Sequence, residues 1–138
     1  MLQLDLPALG EQSFRHYIHS EGVAVVFGQV QDYTQLFTQS QLAPVAKAVE
    51  KRRKEFSTGR QFSMLAQRVL GLPPAFVEHA EDRSPRWPDG VLGSISHTDA
   101  LALVVLMRSG QLAGVGVDME QSDKVTEPIA QMVLTANE

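Results

Sequence analysis

The stretch "VLGSISHTDALALVVLMRSGQLAGVGVDME", Val91 to Glu120, decides how this chain folds. Three runs rich in β-branched and aliphatic residues, "VLGSISH", "ALALVVLMR" and "LAGVGVDME", are separated only by the short polar turns "TD" and "SGQ". Such spacing predicts a meander of antiparallel strands. Further upstream, "FRHYI", the turn "SEGV" and the run "GVAVVFGQV" predict a hairpin. Between these β regions the period changes. Val45, Val49, Arg52 and Phe56 fall on one helical face from Pro44 onward. After "STG" a second helical run is expected, with Phe62, Leu65, Ala66, Val69 and Leu70 as its apolar stripe. "GLPP" stops it, Gly71 serving as the C-terminal cap. "EHAEDRSPRWPDG" reads as a loop, in which Trp87, stiffened by its two prolines, packs over the strand that follows. The tail "SDKVTEPIAQMVLTANE" is expected to start a helix and a further turn. The order strand, helix, strand places the chain in the α+β class.

Composition narrows the chemistry. The 138 residues are 43% hydrophobic, enough for an ordinary core, and carry a net charge of −4 with a pI near 5.5. General nucleic-acid binding is not expected at that charge, so an anion site has to come from a local basic cluster. Without cysteine there are no disulfides, zinc–thiolate sites or thiol catalysis. "ALALVVLM" is too short to span a bilayer, and the N-terminus lacks the pattern of a signal peptide, so a soluble, cytoplasmic chain is expected.

Three clusters could carry chemistry. Asp118 and Glu120 are two apart at a strand end, so their carboxylates project to one face and could share a magnesium ion. The same pattern also describes a solvated strand edge. "KRRKEFSTGR" concentrates positive charge in an acidic chain. Arg52 falls on the apolar stripe, where it needs an anionic partner, and Arg60 is expected near the start of the second helix, where backbone N–H groups favour phosphate. The bland alternative is a solvated helix face with pairs such as Glu50 with Lys54. In "GSISHT", Ser94 and Ser96 share one strand face and His97 lies at the strand end, placed to meet a phosphate or simply to hydrogen-bond. A serine nucleophile does not fit, for want of a strand-to-helix elbow and a G-x-S-x-G motif.

Taken in order, "KRRKEFSTGR", "SPRWPDGVLGSISHT" and "GVGVDME" resemble the 4′-phosphopantetheinyl transferases, of the surfactin type and like enterobactin synthase component D, over about Ala46 to Glu120. The resemblance implies transfer of 4′-phosphopantetheine from coenzyme A to a serine of an acyl or peptidyl carrier protein, in siderophore or related non-ribosomal peptide synthesis. It further implies Asp118 and Glu120 as Mg2+ ligands. Arg52 and Arg60 match contacts to coenzyme A phosphates, Ser96 and His97 match a pair on the same cofactor, and Arg83 matches a basic position before the tryptophan segment. The family's third motif, (W/F)-(S/T)-x-K-E-x-x-x-K, has no counterpart in these residues, so no catalytic glutamate or lysine is assigned. The implied fold is the first pseudo-symmetric half of the transferase, residues 1–110, followed by the beginning of the second, residues 111–138, carrying the D-x-E motif. Val115 and Val117 are then expected to be exposed and to promote self-association. Two other readings stay open: a non-catalytic remnant that only binds coenzyme A or a carrier protein, and a small α+β interaction domain.

Overall fold

The computed structural model describes the backbone of residues 2–5, 14–20, 22–109, 112–120 and 129–136, and the side chains of residues 22–109. Among the described residues, seven strands and one α-helix follow in the order β1 (Leu2–Asp5), β2 (Phe14–Ser20), β3 (Val23–Gln29), α1 (Glu50–Val69), β4 (Val91–His97), β5 (Leu101–Arg108), β6 (Leu112–Glu120) and β7 (Ile129–Ala136). They make two antiparallel sheets, β2-β3-β5-β4 and β1-β7-β6. The expected hairpin is β2–β3, turning through Gly22 at φ +83. The α+β class holds.

β3 and β5 sit at the centre of the larger sheet, with Val25 opposite Val105. Ala24 and Val26 of β3 and Ala102, Val104 and Leu106 of β5 face α1, which contributes Phe62 and Ala66. The alternating set, Val25, Phe27, Leu103 and Val105, is equally buried at 0% exposure. A sheet covered on both faces explains why these strands read as unbroken apolar runs rather than alternating ones.

α1 differs from the expected helix pair. "STG" does not interrupt it, because the hydroxyls of Ser57 and Thr58 bond back to the Lys54 carbonyl, at 3.1 and 2.8 Å. Those oxygens also accept the backbone N–H groups of Tyr33 and Gln31, each at 3.0 Å, tying the helix to the segment after β3. The helix begins at Glu50; Ala43–Val45 form only a 3-10 turn, and Val49 is the N-cap. At the far end Gly71 adopts φ +79 and the Leu72 N–H reaches the Gln67 carbonyl at 2.9 Å, the expected cap.

Two expectations for the β region change. β6 does not continue the meander from β5 but pairs with β7 in the smaller sheet, while lying close to β4. The tail segment Ile129–Ala136 is strand β7, not a helix, because its neighbours β6 and β1 offer it hydrogen-bonding edges on both sides. The side chains of Val115 and Val117 lie outside the described residues.

One face of α1 fixes it to β4. Lys51 Nζ meets Asp99 Oδ1 at 2.7 Å, Glu55 Oε2 meets His97 Nδ1 at 3.2 Å, and Gly59 faces Ile95. Helix positions four apart rise about 6 Å and strand positions two apart about 6.6 Å, so the two series stay in step as the elements run antiparallel. A Cβ on Gly59 would stand 3.2 Å from Ile95 Cγ2, tight contact, so glycine here allows the close approach.

Trp87 does pack over the following strand. A Cβ on Gly93 would come within 2.4 Å of Trp87 Cε2 and of Leu106 Cδ2. Gly93→Ala is therefore expected to cost about 1–3 kcal/mol by displacing the indole. A lower urea midpoint, followed through the fluorescence of this single tryptophan, checks it; an unchanged midpoint contradicts the packing.

Candidate functional site

A cleft of about 360 Å³ opens beside the α1–β4 seam, lined by Pro44, Val45, Ala48, Arg52, Phe56, Arg60, His79 and Arg83. Three guanidinium groups thus converge from two separate parts of the sequence. Arg52 and Arg60, eight apart on α1, bracket Phe56 on one helix face. Arg52 is exposed, not turned into the apolar stripe as expected, because Val49 above it is itself 74% exposed. The buried members of that stripe, Val45 and Phe56, pack instead with Leu42 in a small separate core.

Arg60 is the inward one. It is 7% exposed and stacks on the Phe56 ring, with the guanidinium carbon 4.5 Å from the ring centroid. It lies in the middle of α1 rather than at a helix start, so the expected help from backbone N–H groups does not apply. Burial, and then the nearby Arg52 charge, push its pKa down to about 10. Among the described residues its Nε is a buried donor without an acceptor. A buried cation with an idle donor in a cleft of like charge is a seat for an anion.

The loop from Glu78 to Arg86 supplies the opposite wall. A bridge between His79 and Pro85 and the bonds Ala80 N–H to Ser84 O (2.7 Å) and Arg86 N–H to Glu78 O (2.7 Å) close it into a tight turn. At its tip Arg83 takes φ +70, a left-handed conformation unusual for a residue with a side chain, while its N–H donates to the Ala80 carbonyl at 2.9 Å. The Ser84 hydroxyl and amide both donate to Asp82, holding its carboxyl below the ordinary carboxylate range. The clamped turn delivers Arg83 to the cleft.

The remaining candidates lie elsewhere. Ser96 and His97 are adjacent on β4, so the pleat sends them to opposite faces. His97 is on the α1 side, its Nδ1 held by the nearly buried Glu55 carboxylate, so that Nε2 is the ring nitrogen left for a ligand among the described residues. Glu50 and Lys54 do form the surface pair considered for this helix, at 3.1 Å. Asp118 and Glu120 stand opposite Gln131 and Ile129 of β7; their side chains lie outside the described residues. Two participants escaped the sequence reading. Glu55 was hidden inside a basic run, and His79 lay in a loop with no periodicity to orient it.

Comparison with known proteins bears on this arrangement. The family model described as the 4′-phosphopantetheinyl transferase N-terminal domain matches residues 39–107, half of the chain. The chain belongs to the 4′-phosphopantetheinyl transferase family. Arg52, Arg60, Arg83, Ser96 and His97 fall inside the matched segment of this family member, and Asp118 and Glu120 beyond it. It is 34% identical to the 4′-phosphopantetheinyl transferase Svp of Streptomyces mobaraensis over 107 residues, 78% of this chain and 44% of that protein. To the 4′-phosphopantetheinyl transferase PptT of Mycobacterium tuberculosis it is 38% identical over 79 residues, 57% of this chain and 35% of the relative. To enterobactin synthase component D of Salmonella typhi it is 34% identical over 91 residues, 66% and 38% respectively. The chain spans less than half the length of these relatives. Among the described residues no helix is long and apolar enough to cross a membrane.

The buried, unpartnered charge makes a prediction that needs no knowledge of the ligand. Arg60→Met keeps the volume and removes the desolvation cost, so the ligand-free protein should gain about 1 kcal/mol. Inorganic phosphate should raise the melting temperature of the wild type and leave that of the variant unmoved. Differential scanning calorimetry with and without phosphate reads both; a destabilised variant that still responds to phosphate contradicts the assignment.

Proposed function

We propose that this chain serves transfer of the 4′-phosphopantetheine arm of coenzyme A to a serine hydroxyl of an acyl or peptidyl carrier protein, in siderophore or related non-ribosomal peptide synthesis. The observation that carries it is the convergence of Arg52, Arg60 and Arg83 on one cleft, with the buried Arg60 Nε lacking an acceptor among the described residues. Family membership supplies the reaction class, and the relatives named as enterobactin synthase component D support the siderophore context.

In this reading the three arginines hold coenzyme A phosphates, and Arg60, already dehydrated against Phe56, gives the strongest single contact. His97, oriented by Glu55, and Ser96 complete the cofactor contacts, each from its own face of the β4 end. Residues 1–110, apart from β1, which pairs with β7, make up the half-domain that binds coenzyme A, and residues 111–138 begin the half that carries the metal ligands. Asp118 and Glu120 would hold magnesium, which when bound neutralises pyrophosphate charge as the phosphoryl group moves. Phosphoryl transfer depends on position and charge neutralisation more than on covalent chemistry by the protein, and arginine clamps supply both.

The test gives the chain coenzyme A, magnesium and an apo carrier protein. Magnesium-dependent coenzyme A binding without mass gain is the expected result for these residues alone, because the third-motif glutamate and lysine are not among them. A mass gain of one phosphopantetheine on the carrier serine, with release of adenosine 3′,5′-bisphosphate, would show that they transfer the arm unaided and overturn the binding-only reading. Neither binding nor transfer would leave the interaction-domain reading.

A further inference from the structure

His79 lines the arginine cleft, yet the transfer reaction as read gives it no role. Its Nδ1 lies 3.0 Å from the Ala80 carbonyl oxygen. A carbonyl oxygen can only accept, so Nδ1 carries the hydrogen, and Nε2 of the neutral ring is left as an acceptor. Among the described residues every other charged group lining the cleft is a donor: Arg52 and Arg60 from α1, and Arg83 from the same loop as His79. On its other side His79 borders a smaller cleft of about 120 Å³, where the only charged neighbour among the lining residues is Glu78. The segment carrying Ser40, Gln41 and Pro44 brings no charge to either cleft.

That tautomer sets a condition on what the cleft can bind. Phosphate oxygens are acceptors, so a neutral His79 meets them lone pair to lone pair, whereas an imidazolium donates a charge-assisted hydrogen bond. A phosphate ester seated among the three guanidinium groups brings negative charge beside the ring and favours the form that can donate to it. We propose that His79 is a fourth phosphate-binding group of this cleft, which takes up a proton as the phosphate ester of the ligand binds. This rests on the reading of the cleft as the coenzyme A phosphate site.

Isothermal titration of coenzyme A into the full chain tests it, at about pH 6.5 and about pH 8, each in two buffers of different ionisation enthalpy, for wild type and His79→Gln. Glutamine keeps a donor at similar reach but cannot titrate, and His79 is exposed, so the variant should fold normally. The wild type should take up protons on binding and lose about fivefold in affinity at the higher pH, a discount on a fully buried charge-assisted bond for the exposure of the ring. His79→Gln should show less proton uptake and a flatter profile, and should bind at least as tightly as wild type at pH 8. Titration of the phosphate itself, near about pH 6, is common to both proteins and cancels in the comparison. Equal proton uptake and equal pH profiles, with binding retained in both, would overturn the role of His79 alone. Failure of the wild type to bind coenzyme A at all would overturn the phosphate reading of the cleft, and His79's part with it.

Discussion

The seam between α1 and β4 is the constraint on which the rest depends. Glu55 and Gly59 on the helix meet His97 and Ile95 along the strand, with Lys51 reaching Asp99 in the turn just past it, and the strand match holds because four helical residues and two strand residues advance by nearly the same distance. Rotating the helix by one residue would put Thr58 or Arg60 where Gly59 stands, and the approach to Ile95 would close. With the rotation fixed, the neighbouring face carrying Arg52, Phe56 and Arg60 has to open on the cleft. The glycine that weakens the helix locally is what orients the arginines.

The cleft holds charge under conditions unfavourable to it. Arg60 is dehydrated, close to Arg52, and satisfied in part by the Phe56 ring, which recovers only a fraction of lost hydration. Arg83 sits at a left-handed backbone position held by the Asp82–Ser84 turn. Each arrangement costs stability, and under the proposed function a bound phosphate would offset the repulsion among the arginines. Preorganised positive charge of this kind is what phosphoryl chemistry needs, since guanidinium groups already in place need not reorganise when charge develops.

Local chemistry was legible where it depended on neighbours in sequence. The β2–β3 hairpin, strands β4 and β5, the glycine cap at Gly71 and the Trp87 packing all follow from periods, turns and prolines that act over a few residues. The helix break at "STG" was misread because Ser, Thr and Gly disfavour helix interiors in isolation. In the fold Ser57 and Thr58 bond back to Lys54 and receive the amides of Gln31 and Tyr33, while Gly59 is needed by β4. β7 was misread for a related reason: its strand character comes from partners on both sides, not from its own composition.

The sequence by itself determined the α+β class, the basic cluster on a helix, and the motif order that marks the family. Those are properties of residue type and spacing, which survive without coordinates. Only the tertiary structure decided which cations share a cleft, that Arg60 rather than Arg52 is buried, that Ser96 and His97 part to opposite faces, and that Glu55 and His79 join them. Charge in sequence is a count; its effect on a ligand depends on distance and on how much water has been excluded, and both are set by how helix, strand and loop meet.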